Sequence, residues 1–243
     1  MLAPGLEGWP AAARVLSGEA GFTPTAVQRP AVSLLPPAER RRCAPSVAWA
    51  LAVAQEAVAH SGLDASAFAV VFASSDGDGD IVHRLCTALA TPPGAVSPTD
   101  FHNSVHNAAT GYWSIGAHSQ AASTAICAYD GSFAAGLLEA ACQIASEKRP
   151  VLLVTVDLPY PEPLAPHRPV RYGFAAALAL VPDGQLEVSL EEGVATPFPD
   201  SLQSFEGNAA AAALLLLAAL ARPGDTKVRL PLAERTLQVR KRA

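Results

Sequence analysis

The stretch Ser123-Thr-Ala-Ile-Cys-Ala-Tyr-Asp-Gly-Ser-Phe-Ala-Ala-Gly-Leu-Leu-Glu-Ala140 carries the pattern that decides the fold. It begins as a short run of β-branched and apolar residues, which predicts a strand, and it ends as a helix rich in Ala and Leu. The tripeptide Tyr129-Asp130-Gly131 marks the turn between the two elements. Cys127 lies at the end of the strand, close to the start of the helix, where a thiol is placed to act as a nucleophile.

Similar elements continue in both directions from this stretch. The continuous apolar runs 68–73 and 151–157 predict strands that are buried on both faces of a sheet. Strands alternate with helices, so the predicted class is α/β, with a mixed sheet covered by helices. Local patterns also predict an irregular segment at 1–30, a short strand at 31–35, a helix from Ser46 to about residue 60, a hairpin of 173–181 with 185–191, a helix capped by Asn208, and a last strand at 236–240.

Length and composition narrow the function classes. The chain has 243 residues, half of them apolar, which predicts a single domain over residues 1–243. The formal net charge of −5 disfavours binding to nucleic acid or to an anionic membrane surface. The longest apolar run, 209–221, is too short to span a bilayer, and no secretory signal is visible. The four cysteines form no CxxC pair, so a reduced, cytoplasmic protein is expected.

Two clusters that resemble metal sites have simpler interpretations. The turn 76–80 alternates Asp and Gly like a calcium loop, but it lacks the acidic residue that closes such a loop, so it predicts a strand-to-helix turn. His102 and His106 are four residues apart, although no third ligand shares their spacing. Hydrogen bonding is therefore the expected role of these histidines, and neither a metal nor a cofactor is predicted.

A catalytic role for Cys127 requires a base within reach. The histidine that follows it in the sequence is His167, which lies in the Pro-rich segment 159–169. A nucleophile–base pair needs an imidazole close to the thiol, and this single candidate gives it little support. The alternative is that Cys127 is a small residue at the end of a strand, with a structural role only.

The order of these motifs resembles a known family. Residues 68–79, 97–103 and 124–140 together are similar to the N-terminal half of a β-ketoacyl-acyl-carrier-protein synthase of the thiolase fold. More narrowly, the Phe101–Ser114 and Ser132–Ala140 segments resemble short ketosynthase-like proteins of aryl polyene biosynthesis clusters. The resemblance implies a half-size thiolase-like fold with a single N-terminal-type α/β half.

Departures from the family pattern decide which activity the resemblance implies. The nucleophile position of the family falls on either Cys127 or Ala128, depending on a shift of one residue. Active members also use two histidines from a second, C-terminal half, which this sequence is expected to lack. The resemblance therefore implies a non-catalytic, chain-length-factor-like subunit that forms a heterodimer with an active β-ketoacyl-acyl-carrier-protein synthase. Acyl carrier protein would be met through that complex, in the synthesis of a polyene chain.

In such a heterodimer, the strand at about 122–126 is expected to pair with a strand of the partner. The residues expected to border the partner or the acyl tunnel are Phe101, Tyr112, Trp113, Thr124, Ile126, Cys127 and Phe133. Two other hypotheses stay open. One is an acyl-transferring or condensing enzyme that uses Cys127 with His102, His106 or His167. The other is a stand-alone module that binds an acyl chain or an acyl carrier protein.

Overall fold

A mixed β-sheet, here called the central sheet, organises the computed structural model, which describes residues 1–242. Its strands are β1 (Ala69–Ala73), β2 (Ser123–Ile126), β3 (Val151–Asp157) and β4 (Phe174–Leu180), in the order β2-β1-β3-β4. Strand β1 is parallel to both β2 and β3, whereas β4 is antiparallel to β3. The pairing directions therefore confirm the predicted mixed sheet. Strands β1 and β3 are buried along their whole length, as the apolar runs predicted.

Helices cover one face of the central sheet. They include α3 (Pro45–Ser61) and α6 (Ala108–Ala117), whose Leu51 and Trp113 are buried against Phe72 of β1 and Leu152 of β3. The first half of the chain contains four further helices: α1 (Trp9–Ser17), α2 (Pro37–Arg42), α4 (Gly79–Ala90) and α5 (Pro98–Asn103). Asp78 caps α4 by accepting a hydrogen bond from the Ile81 N–H, so the turn 76–80 is a strand-to-helix turn, as predicted.

The opposite face of the central sheet carries α7 (Ser132–Glu147) and α8 (Ala213–Leu220). Phe133 and Leu137 of α7 lie in the same buried core as Leu153 of β3 and the leucines of α8. Gly136 lets α7 approach the sheet closely, because a Cβ atom at this position would lie 2.8 Å from Cβ of Ala73. Within residues 1–242, no helix has both the length and the apolar character needed to cross a bilayer.

A second, smaller sheet covers the other side of α7 and α8. It consists of β5 (Leu186–Glu191), β6 (Thr226–Leu232) and β7 (Arg235–Lys241), antiparallel in the order β5-β7-β6. The hairpin predicted from 173–181 and 185–191 is wrong, because β4 pairs with β3 whereas β5 pairs with β7. The predicted last strand is present as β7, but its neighbour β6 was not predicted.

The N-terminal third departs from prediction at three points. Segment 1–30 is not irregular throughout, because α1 begins with a proline in its first turn, buries Ala12 and Leu16, and ends at Gly18 with φ 90°. Residues 31–35 form turns instead of a strand, with a hydrogen bond from the Leu35 N–H to the Val32 carbonyl. Ser46 does not cap α3, which begins at Pro45; its hydroxyl donates to Asp78 Oδ2 at 2.8 Å.

Candidate functional site

Three parallel strands end at the same edge of the central sheet and bring polar residues together. Ser74 and Ser75 follow β1, Cys127 follows β2, and Asp157 is the last residue of β3. In open α/β sheets, ligands bind outside the carboxyl ends of the strands. This edge is therefore the candidate functional site suggested by topology.

Asp157 is the buried centre of the site. Its Oδ1 accepts hydrogen bonds from the Ser74 hydroxyl at 2.9 Å, the Ser75 N–H at 2.8 Å and the Ser75 hydroxyl at 3.0 Å. Its Oδ2 accepts from the Ala210 N–H at 2.9 Å, which ties the end of β3 to the turn before α8. Burial raises the pKa of Asp157, whereas the hydrogen bonds from Ser75 and Ser74 act in the opposite direction.

A second carboxyl of the site, that of Asp76, changes its charge near neutral pH. Burial raises the pKa of Asp76 to about 7, and repulsion from the nearby carboxylates of Asp157 and Asp78 adds to the rise. Asp76 packs against the first turn of α4, because a Cβ at Gly79 would lie 3.0 Å from its Oδ2. The exit of β1 therefore brings the carboxyl groups of Asp76, Asp78 and Asp157 close together.

The elbow between β2 and α7, residues 127–131, is held by hydrogen bonds to the backbone. The thiol of Cys127 is exposed and donates to the Ser75 carbonyl at 3.1 Å. The Ser132 hydroxyl donates to the Tyr129 carbonyl at 2.7 Å and accepts from the Ala128 N–H at 3.0 Å. The residue with the unusual backbone is Tyr129, which has φ 51° and a side chain that is 65% exposed. Tyr129 therefore forms the tip of the elbow.

Arg168 fastens this elbow to the rest of the site. Its Nη2 lies 2.6 Å from Asp130 Oδ1, and its Cζ lies 3.9 Å from the centroid of the Tyr129 ring. Its Nε donates to the Tyr160 hydroxyl at 3.0 Å, and that hydroxyl lies 3.2 Å from the Ser75 Oγ. Sequence reasoning missed Arg168, because the residues that it joins are far apart along the chain and no motif connects them.

The three histidines considered as bases have other contacts. His106 Nε2 is hydrogen-bonded to the Ser74 carbonyl at 3.0 Å, and the His102 ring packs edge-on against Tyr112 at 5.8 Å. His167 is exposed in the Pro-rich loop. Among residues 1–242, none of these imidazoles is hydrogen-bonded to the thiol of Cys127, and no group of three or more His, Cys, Asp or Glu side chains is arranged to hold a metal.

The residues predicted to border a partner or a tunnel do not lie together in the structure. Thr124 and Ile126 are half-buried on β2, an outer strand of the central sheet whose other side has no neighbouring strand within residues 1–242. Phe101 and Tyr112 line an open groove of about 430 Å³ between α5 and α6, together with Val105 and Ile115. Trp113 and Phe133 are each 1% exposed and lie in the cores on opposite faces of the sheet. Cys127 stands apart from all of these, at the elbow.

The chain is similar to known proteins both in sequence and in fold. Residues 13–235 match the family model described as β-ketoacyl synthase, N-terminal domain. Among solved structures, the chain resembles one from the complex of the ketosynthase ApeO with its chain length factor ApeC from Xenorhabdus doucetiae. The TM-score is 0.73 at 22% identity, over 98% of this chain and 95% of that chain. A β-ketoacyl synthase from Burkholderia phymatum STM815 matches with a TM-score of 0.57 at 14% identity, over 90% of this chain and 67% of that chain. No curated protein matches.

Proposed function

Because the chain belongs to the family of β-ketoacyl synthase N-terminal domains, we propose that it is a non-catalytic, chain-length-factor-like subunit. It would pair with an active β-ketoacyl-acyl-carrier-protein synthase and shape the acyl tunnel in the synthesis of an aryl polyene or a related chain. The observation that carries the proposal is the free edge of β2 beside an exposed apolar surface. The similarity to a complex of a ketosynthase with its chain length factor supports it.

The edge of β2 supports pairing with another chain. A strand at the edge of a sheet presents unpaired N–H and C=O groups, and these groups are satisfied when a second strand pairs with them. The strand is short and only partly covered, with Ser123 exposed and the next three residues half-buried. Pairing across this edge would join the central sheets of the two subunits.

The neighbouring helices supply the apolar area that such an interface needs. Apolar side chains that are 45–66% exposed lie on α4, α5, α6 and the segment that joins α5 to α6: Val82, Leu89, Phe101, Val105 and Ile115. Helix α6 contacts β2, and α4 contacts α5, so this apolar surface continues from the free edge of the sheet. Exposed apolar surface of this kind marks sites of protein–protein contact.

The elbow supports a role without chemistry of its own. The thiol of Cys127 donates its hydrogen to a backbone carbonyl, and its hydrogen-bond partner is not a base. The tip of the elbow is Tyr129, whose phenol is covered by Arg168 on one face. A condensing enzyme needs a nucleophile with a base and an oxyanion site in reach, and we infer that this elbow serves through its shape instead.

The groove between α5 and α6 is the place where the subunit would limit the length of a product. Phe101 and Tyr112 lie on its wall, and Tyr112 is almost fully buried, so the wall behind the groove is rigid. A closely packed wall does not yield to a longer chain. Acyl carrier protein would be met through the complex, and the free cysteines suit a cytoplasmic location.

Co-expression with an active ketosynthase from the same gene neighbourhood tests the proposal. We expect the two proteins to co-purify, and Ile115→Asp to weaken the complex at least about tenfold, because it places a charge in an apolar interface. Val194→Asp is the matched control, since Val194 is 85% exposed and lies outside this surface. Within the intact complex, Phe101→Ala should lengthen the product. Condensation of malonyl groups by the purified chain alone, or failure to bind the ketosynthase, would contradict the proposal.

A further inference from the structure

The tip of the elbow combines an unusual backbone with a large exposed side chain. Tyr129 has φ 51°, in the left-handed region that residues other than glycine seldom adopt, and its side chain is 65% exposed. Such a backbone costs free energy and persists where the surrounding contacts fix it. The other three tyrosines of the chain are buried or half-buried, so the exposed ring of Tyr129 stands out among them.

Neighbouring segments fix both the backbone and the ring of Tyr129. The elbow packs against the end of β6, because a Cβ at Gly131 would lie 3.3 Å from the Cα of Leu232. Arg168 holds the ring from one face, with its Cζ 3.9 Å from the ring centroid. Arg168 is fixed in turn by Tyr160, whose hydroxyl accepts a hydrogen bond from its Nε at 3.0 Å. The ring is therefore ordered although most of its surface is exposed.

An exposed aromatic ring that is already ordered is suited to bind another protein. Tyrosine and arginine are enriched among the few residues that carry most of the binding energy of protein–protein interfaces. Binding costs free energy for each side chain that becomes ordered in the complex. This cost is small for Tyr129, because Arg168 holds its ring before any partner arrives.

Tyr129 also lies close to the free edge of the central sheet. Ile126 is the last residue of β2, and three residues of chain span at most about 11 Å, so the tip of the elbow stays near the end of this strand. A chain that pairs along β2 therefore comes within reach of the ring.

We propose that Tyr129 is the anchor with which this subunit binds its ketosynthase: its ring enters an apolar pocket of the ketosynthase, and Arg168 is the positioning residue that orients the ring. This inference rests on the proposed function and deepens it. It assigns the strongest contact of the interface to the elbow, in addition to the β2 edge and the apolar surface of α4, α5 and α6.

Variants of Tyr129 test the proposal in the co-expressed complex. Tyr129→Asn removes the ring with a residue that tolerates the left-handed backbone, so we expect the dissociation constant of the complex to rise at least about thirtyfold. Tyr129→Phe keeps the ring and should change this constant by less than about threefold. Leu190→Ala is the matched control, because Leu190 is 43% exposed and lies on β5 in the small sheet; its effect should stay below about twofold.

A double variant separates the positioning role of Arg168 from a general effect on stability. Arg168→Met alone should raise the dissociation constant by about five- to tenfold, because the ring must then be ordered on binding. Added to Tyr129→Asn, the same change should alter the constant by less than about twofold, because no ring is left to orient. If the effects of the two changes multiply, the positioning role of Arg168 is overturned.

The outcomes distinguish this inference from the proposed function. Unchanged affinity of Tyr129→Asn for the ketosynthase would overturn the inference and leave the proposed function standing. Failure of the parent chain to bind the ketosynthase would overturn both. Loss of self-association alone in Tyr129→Asn, measured by analytical ultracentrifugation, would also overturn the inference, because the ring would then contact a second copy of this chain.

Discussion

The guanidinium carbon of Arg168 lies 3.9 Å from the centre of the Tyr129 ring, directly at the tip of the elbow between β2 and α7. The same side chain forms an ion pair with Asp130, and only 16% of it is exposed. Stacking and ion pairing thus act together on two consecutive residues, one of which has a positive φ. Arg168 belongs to the Pro-rich loop 159–169, so this loop holds the elbow in one conformation.

Replacement of Arg168 should loosen the elbow. Arg168→Met keeps most of the apolar length and removes the charge, so we expect a loss of about 1–2 kcal/mol in the free energy of unfolding. Urea denaturation measures it. Arg171→Met is the control. Arg171 is also an arginine beside a tyrosine, but it is exposed, and its Cζ lies 5.1 Å from the centroid of the Tyr172 ring. Equal losses of unfolding free energy in the two variants would contradict the prediction, because the contacts of Arg168 with the elbow would then add no more stability than those of an exposed arginine.

Stability should depend on pH through Asp76. Its pKa is about 7 in the folded protein, against an ordinary value of 3.8 for an aspartate, so the folded state holds the proton more tightly than the unfolded chain does. The contribution of Asp76 to the free energy of unfolding is therefore fully present below about pH 4, and it is lost as the pH rises through 7. Asp76→Asn should remove this decline, and the difference between variant and parent should grow between pH 4 and pH 7 in thermal unfolding. A constant difference would contradict the assignment.

Cys127 should be dispensable for function. Its exposed thiol donates to the Ser75 carbonyl, and Cys127→Ala should change the condensation rate of the assembled complex by less than about twofold. Intact-mass analysis after treatment with an acyl thioester checks the same point on the chain alone. Selective acylation of Cys127, or a large loss of activity in the alanine variant, would favour the hypothesis of an enzyme in its own right.

Two glycines in helices should respond in opposite directions to alanine. A Cβ at Gly136 would lie 2.8 Å from Cβ of Ala73 and 3.1 Å from Leu153 Cδ1, so Gly136→Ala should destabilise the fold by about 1–3 kcal/mol. Gly111 in α6 has nothing within 4 Å of such a Cβ, so Gly111→Ala should stabilise the protein by about 0.5–1 kcal/mol through helix propensity. Chemical denaturation of both variants measures the contrast.

Local patterns predicted the parts of the fold that local interactions determine. The apolar runs correctly indicated β1 and β3, and the strand, turn and helix around Cys127 appear at 123–147 in the structure. Pairing between distant segments was harder to predict. The turn at 182–184 suggested a hairpin, but β4 pairs with β3, whose apolar side chains it helps to bury.

The second sheet and the elbow contacts show the same limit. Strand β6 contains Pro231, which weakens its pattern, and it is recognisable mainly from its pairing with β7. Arg168 lies 38 residues from Asp130 in sequence and meets it only through the fold. The family resemblance, by contrast, was correctly identified from short motifs, because these motifs preserve the spacing of strand, turn and helix.

Helix α8 is buried along almost its whole surface, with the central sheet on one side and the small sheet on the other. Neither sheet can detach without exposing Leu214, Leu216 and their neighbours to water, which is costly for a helix without a polar face. The two sheets should consequently melt together, in a single cooperative transition. We therefore expect that a cut between residues 132 and 241, made to divide this protein for expression, would not leave two pieces that fold independently.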